Sequence, residues 1–309
     1  MKVGVTGGAG FIGEHVCDEL ARRGHHPLVF DHKGRHNPPH PVMLGDARDP
    51  VAMAELAAHV DGIIHLAACL GTQETIANPR PAAITNVEGG LNFLEACAQY
   101  NIPGVYIGVG NHWMNNTYSI SKTTVERFAA MFNKERGTRI NTVRLVNAYG
   151  PRQSVAPPFG PAKVRKITPA FVCRALTGQT IEVYGDGQQV SDMVHVMDGA
   201  KALVTALEKA AQSIVFDKVV EVGPAEHRTV NQVAQEVIAA AVSLDYPAVN
   251  LKHLPMRPGE IPGAHVTADT STLALVDMSA DTLIPLRDGI IHTVDWYATN
   301  WLPSYRDAA

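Results

Sequence analysis

Short apolar runs alternate with amphipathic stretches through the first half of the chain. Residues 3–6, 28–31, 42–44, 62–66, 105–109 and 141–146 are continuous and rich in β-branched residues, and they predict strands. Between them Ile12, Val16 and Leu20 recur every four residues and stop at Gly24, while Leu91, Leu94 and Ala98 mark a second stripe. Such stripes predict helices with one buried face. Strands that are apolar throughout need cover on both sides, so the alternation predicts a doubly wound parallel sheet of Rossmann-like α/β class. The rhythm changes near Tyr149-Gly150-Pro151, and prolines and glycines then interrupt a more irregular half whose clearest helical pattern covers residues 230–242. The expected organisation is a nucleotide-binding domain over residues 1–150. A smaller α/β substrate lobe follows over 151–309, with segments that cross back to the first domain.

Composition narrows the classes. The 309 residues are 46% hydrophobic, enough to bury a full core, and 18% charged with a formal net charge of −4. No basic footprint points to nucleic acid. No run approaches the ~18 apolar residues of a membrane span, and the chain opens directly into an apparent strand. The expectation is therefore a cytoplasmic protein without membrane or nucleic-acid partners. Cys17, Cys69, Cys97 and Cys173 are scattered without metal or redox spacing, which predicts reduced thiols. His32, His36 and His40 recur every fourth residue, but Pro38, Pro39 and Pro41 exclude the helix that would make them converge, so no metal is expected.

Two motifs carry chemistry. Thr6-Gly7-Gly8-Ala9-Gly10-Phe11-Ile12-Gly13 follows a predicted strand and opens a predicted helix. Gly7, Gly10 and Gly13 permit a tight turn and close approach of backbone to a pyrophosphate, which the helix N-terminus attracts. Asp31 ends the next strand, where a carboxylate accepts from the adenosine ribose hydroxyls and repels a 2′-phosphate. NAD is favoured over NADP, with Lys33 and Arg35 close behind as the features that argue the other way. Asp46 and Ala47 follow the third strand at the adenine edge, and Leu66, Ala67 and Ala68 follow the fourth with small side chains. The second motif is Tyr118-Ser119-Ile120-Ser121-Lys122, which puts a phenol and an ammonium one helical turn apart on one face.

These residues resemble the extended short-chain dehydrogenase/reductase family, in its NAD-dependent sugar-nucleotide epimerase/dehydratase branch. The matching segments also include Arg144 to Arg152, Val183-Tyr184-Gly185-Asp186-Gly187, Asp192 to Val196 and Arg257-Pro258-Gly259-Glu260, and they run nearly the whole length. The resemblance implies a proton acceptor in Tyr118, with Lys122 lowering its pKa from ~10 and holding the nicotinamide ribose. It implies further cofactor contacts from Phe11, Ile12 and Leu145. It implies a nucleoside-diphosphate sugar held by Asn147 and Arg257 at the phosphates and Tyr184 near the base. Lys163, Arg165 and Lys166 form a basic cluster that either closes over phosphates or is simply solvated. The helices near residues 86–99 and 118–136 imply a homodimer.

Two departures bear on the reaction. The family follows its fifth strand with a Ser/Thr-rich run that binds the reacting hydroxyl, and 4,6-dehydratases add an Asp-Glu pair. Here the run is Ile107-Gly108-Val109-Gly110-Asn111-His112-Trp113, without hydroxyl or carboxylate. Asn111 or His112 is the candidate replacement, a structural role for His112 being the alternative. The second departure is Ser191, where many relatives carry an arginine for the diphosphate. The pattern predicts a UDP-hexose 4-epimerase acting by transient oxidation at C4. An atypical dehydratase using Tyr118, Cys69 or His112, and a catalytically weakened NAD-binding sensor, remain as alternatives.

Overall fold

A computed structural model describes residues 1–34 and 39–308; Arg35 and His36 lie outside the described residues. The chain runs β1 (Lys2–Thr6), α1 (Phe11–Arg22), β2 (His26–Asp31), β3 (Val42–Leu44), α2 (Pro50–Ala58) and β4 (Gly62–His65). It continues through α3 (Arg80–Ala83), a π-helical turn (Ile84–Glu88), α4 (Gly89–Tyr100), β5 (Gly104–Ile107), α5 (Thr117–Arg136) and β6 (Ile140–Leu145). Among the described residues the main sheet has seven strands in the order β3-β2-β1-β4-β5-β6-β9, all parallel, with β9 at Val220–Val222. The order reverses between β1 and β4. Crevices that hold ligands open at such reversals, outside the carboxyl ends of the strands.

Why the sheet is covered on both faces follows from neighbouring residues. Val3, Val5, Val29, Ile64, Val105 and Val143 pack with Val16 and Leu20 of α1 and with Leu203 and Leu207 of α7 (Val196–Ala211). Leu28, Phe30, Ile63 and Tyr106 face the other way, onto Met53 and Leu56 of α2, Phe93 and Leu94 of α4, and Val125 and Phe132 of α5. Ile63 and Ile64 are adjacent and both wholly buried, one in each layer. Continuous apolar strands are the consequence of this double cover.

The second half supplies its own core and returns to the first. Phe171 and Val172 of α6 (Ile167–Leu176), Ile181 and Val183 of β7 (Ile181–Tyr184), Val233 and Val237 of α8 (Val230–Ser243), and Ile290 and Val294 of α9 (Leu286–Trp296) form one cluster. The α8 helix starts on a capping box in which Thr229 and Gln232 satisfy each other's backbone N–H groups. Two small parallel ladders complete this lobe. β7 pairs with β10 (Leu251–Leu254), and β8 (Val190–Ser191) pairs with β11 (His265–Val266). Between these pieces the chain crosses back, laying α7 over the main sheet and adding β9 to its edge beside β6. A final helix, α10, spans Leu302–Ala308. Among the described residues no helix is long and apolar enough to cross a membrane, and all four cysteines are free.

Three buried histidines make the fold sensitive to acid. Burial pulls His65 down to about 3 and His15 and His195 down to about 4. Each is neutral in the folded chain while its unfolded counterpart takes up a proton below about pH 6.5. Between those limits the unfolded state binds more protons, so stability rises with pH and is lost as pH falls from 6.5 towards 4, by up to about 1.4 kcal/mol per pH unit for each group. Thermal melts between pH 7.5 and 5 are expected to show a plateau above pH 7 and a steep fall below 6. A flat profile would contradict this placement of the histidines.

Candidate active site

The glycine loop turns where backbones crowd. Gly7 has φ of +68°, a left-handed value that glycine adopts without strain, and a Cβ there would lie 2.9 Å from the backbone nitrogen of Ala67. A Cβ on Gly13 would lie 2.4 Å from the carbonyl oxygen of Gly7 and 2.6 Å from Cα of Gly8. Gly10 caps α1 without any side-chain hydrogen bond, so the donors of the first turn are not consumed by a cap. Phe11 and Ile12 form that first turn. This cradle fits a pyrophosphate: small, N–H-lined and at a positive helix end.

Neighbouring strand ends complete the crevice. Asp31 closes β2 nearly buried, and its carboxylate accepts from the backbone N–H groups of Ala9 at 3.2 Å and Lys33 at 3.1 Å. Those bonds aim the carboxylate at the glycine loop, while the Lys33 side chain is exposed. Thr6 is wholly buried and its Oγ1 accepts from the N–H of Leu66 at 3.2 Å and of Ala67 at 3.3 Å, tying β1 to the loop after β4. Asp46 is bound by the Arg48 guanidinium, which holds its carboxyl below the usual range, and Ala47 is buried against α4. Leu145 is buried in the main core at the end of β6.

Tyr118 and Lys122 sit on the first two turns of α5, which Asn116 caps by accepting from the N–H of Ser119 at 2.9 Å. Lys122 is 1% exposed and its Nζ lies 4.2 Å from the centre of the Tyr106 ring. In the protein alone, burial pushes Tyr118 up to about 12, with the Cys69 thiol adding to the rise. Burial also pulls Lys122 down to about 7 against the opposing charge of Glu126. A dry pocket disfavours both charged forms, and the lysine's charge is spent partly on an aromatic face.

Sequence reading passed over Asn86. It lies 1% exposed in the π-helical turn, an irregularity frequent at functional sites. Its Oδ1 accepts from the N–H of Cys69 at 2.7 Å, and its Nδ2 donates to the Cys69 carbonyl at 3.2 Å and to Ser121 Oγ at 2.9 Å. One amide thus fastens the loop after β4 to the helix that carries Tyr118 and Lys122. The only sequence signal was a polar residue at the start of an amphipathic stripe.

A cavity of about 250 Å³ opens between the two lobes, and neither Tyr118 nor Lys122 is among the residues that line it. Its wall towards α5 includes Thr72, Gln73, Glu74 and Asn111, and Thr117 Oγ1 donates to the carbonyl of Thr75, which packs that loop on the start of α5. The far wall includes Arg165, Lys166, Arg174, Tyr184, Ser191 and Arg257. His112 is not on the wall; its buried Nδ1 has no partner among the described residues, and its carbonyl accepts from Thr123 Oγ1.

The phosphate and base residues are arranged differently from the sequence-based picture. Asn147, with φ of +39°, donates its amide to Ser191 Oγ at 2.8 Å and to the Asp192 carbonyl at 3.0 Å. Ser191, standing in place of an arginine, therefore occupies the donor group expected to reach phosphate. Tyr184 carries the Arg257 guanidinium over one ring face at 4.8 Å, and its hydroxyl accepts from Arg165 at 2.8 Å. Arg257 pairs with Glu260, but its buried Nε has no partner among the described residues. Lys166 completes the group, its pKa lowered by burial and by Arg257 and raised by Glu74. Of the three clustered cations, Lys163 is exposed, Arg165 is tied to Tyr184, and Lys166 faces the cavity.

Comparisons agree with this geometry. Residues 3–223 match a family described as the NAD dependent epimerase/dehydratase family. A UDP-N-acetyl-α-D-glucosaminuronate decarboxylase of Bacillus cytotoxicus is 28% identical over 75% of this chain and 78% of its own length. A UDP-glucose 4-epimerase of Thermus thermophilus in complex with NAD superposes with a TM-score of 0.82 at 28% identity, covering 97% of this chain and all of the other. A UDP-glucose 4-epimerase of Thermotoga maritima with UDP-glucose gives a TM-score of 0.81 at 26% identity, over 96% of this chain and 98% of that one.

Proposed function

This chain belongs to the NAD dependent epimerase/dehydratase family, and from that membership we propose that it is an NAD-dependent 4-epimerase of a UDP-linked neutral hexose. One observation carries the choice of reaction. The segment after β5 that approaches α5 presents Gly110-Asn111-His112, without the carboxylates that removal of water or carbon dioxide at a neighbouring carbon would require. Reversible oxidation at C4 needs no such acid–base pair.

NAD, when bound, supplies the acceptor for the C4 hydride and, as oxidised cofactor, a positive ring charge. Gly7, Gly10, Gly13 and the first turn of α1, with Phe11 and Ile12, hold its pyrophosphate; Asp31 takes the adenosine ribose. Asp46, Ala47, Leu66, Ala67, Ala68 and Leu145 border the remainder, Lys33 stands at the adenosine edge, and Lys122 holds the second ribose. Tyr118 removes the C4 hydroxyl proton and later returns it after the 4-keto sugar has turned in the cavity. Arg257 and Lys166 hold the diphosphate, with Arg257 better suited by its fixed fork of donors. Tyr184 and its two arginines border the base, and Asn147 orders the wall through Ser191. Asn111 faces the reacting oxygen; His112 supports the loop behind it.

Charge argues for a neutral sugar. Glu74 on the cavity wall, beside Lys166, is the carboxylate placed to accept from sugar hydroxyls and to repel a uronate. Incubating the protein with UDP-, dTDP- and GDP-sugars, read by NMR, should yield the 4-epimer from UDP-glucose or UDP-galactose. UDP-glucuronate should react at least about tenfold more slowly and gain on Glu74→Gln. Loss of water would indicate dehydration, and binding without turnover would indicate a sensor; either result contradicts the reading.

The residue ranges 1–150 and 151–309 serve as the cofactor and substrate domains in this reading, with α7 and β9 contributed to the first. A cytoplasmic homodimer is proposed. Ile120 and Met131 are 54% and 40% exposed on α5, and Ile84 before α4 is also exposed, apolar side chains that a second copy of the same helices would cover. Light scattering should return the mass of two chains.

A further inference from the structure

The hydroxyl missing from the segment after β5 is supplied from α5, on the far side of Asn111. Ser119 is wholly buried, and its Oγ donates to Asn111 Oδ1 at 3.2 Å. The other edge of that amide meets Met114, whose sulfur receives Asn111 Nδ2 at 3.3 Å. A thioether only accepts, so the edge beside Met114 must be the NH2 group and the edge beside Ser119 the carbonyl. Asn111 and Met114 both line the cavity, and one N–H of the amide has no acceptor among the described residues.

We propose that Ser119 is a positioning residue that holds the Asn111 amide with its NH2 towards the cavity, making it a donor-only contact to the reacting C4 oxygen. The proposal rests on the reaction assigned above. A serine or threonine hydroxyl at this place could donate or accept. A fixed NH2 only donates, so the C4 hydroxyl must offer it a lone pair and direct its own proton elsewhere, to Tyr118. The same N–H suits the carbonyl oxygen of the 4-keto sugar, since charge gathers there as hydride leaves or returns. Without Ser119 Oγ, Asn111 Oδ1 loses its donor, and the amide is free to turn its oxygen towards the substrate oxygen, which repels it.

The test is a mutant cycle read in two ways. Ser119→Ala should lower kcat about tenfold with KM changed less than about twofold, and Ser119→Thr should restore most of the loss. In an Asn111→Ser background, where a hydroxyl needs no amide orientation, Ser119→Ala should change kcat by less than about twofold. An equal loss in both backgrounds overturns the proposal, as does a melting temperature or NAD content that falls in step with kcat.

The second reading needs no turnover. In protein labelled with 15N-asparagine, the side-chain NH2 signal that vanishes in Asn111→Ser should shift and exchange faster in Ser119→Ala, with the Asn147 signal unmoved. An unchanged Asn111 signal overturns the positioning role even if activity falls. If the wild-type protein converts no sugar nucleotide, the assigned reaction fails, and the NMR result alone decides whether Ser119 holds Asn111.

Discussion

Tyr118→Phe is expected to lower turnover by about 10²–10⁴-fold while the protein still carries NAD. In the protein alone burial pushes the phenol up to about 12, and its partly buried ring fills space as phenylalanine would. Removal of the hydroxyl therefore leaves packing almost intact. What disappears is the only group in the proposed chemistry that takes the C4 proton. Lys122→Met should cause a comparable loss for a different reason, because its ammonium is the nearby charge that brings the phenol down once substrate and cofactor are in place. The two losses should not add, since both act on one proton transfer. Retention of more than about a tenth of wild-type turnover by Tyr118→Phe would remove Tyr118 from the mechanism.

Gly13→Ala is expected to cause the largest loss of cofactor. Its new methyl would stand 2.4 Å from the Gly7 carbonyl oxygen and 2.6 Å from Gly8 Cα, and both are backbone atoms of the loop itself. A flexible side chain could yield; this turn cannot without opening. Overpacking of this kind costs about 1–3 kcal/mol, and the value here should sit at the upper end. The NAD dissociation constant should rise at least about tenfold. Gly24→Ala provides the contrast. Its Cβ would meet nothing within 4 Å, and the cost should be limited to strain at φ of +79° with NAD affinity unchanged. If Gly13→Ala bound NAD as tightly as the wild type, the cradle would not be the pyrophosphate site.

Much of this arrangement was legible from local pattern. The six strands of the first half were visible because double burial forces continuous apolar runs, and α1 was visible from Ile12, Val16 and Leu20. The glycine loop and the Tyr118/Lys122 spacing were equally local. The parts that escaped depend on contacts between distant positions. Asn86 meets Cys69 and Ser121 only after the loop beyond β4 folds onto α5. The engagement of Asn147 by Ser191 joins the two halves, and that of the Tyr184 ring by Arg257 joins separate segments of the second. The rise of Tyr118 on burial was not legible for another reason: a four-residue spacing from Lys122 shows proximity, while the pull of burial depends on the packing around the ring.

The same logic explains how a site without the usual hydroxyl can still be equipped for reversible oxidation. In the proposed reading Asn111 brings a donor to the cavity, Ser119 orients it, and Tyr118 is the proton acceptor. These are the requirements of a reaction that removes and returns hydrogen at one carbon. They are insufficient for eliminating a group from the next.

That claim is tested most directly with UDP-galactose carrying deuterium at C4. The account predicts conversion to UDP-glucose with the deuterium kept at C4, because the hydrogen leaves and returns within one closed site. Loss of deuterium to solvent, or a product that has lost water, would contradict it.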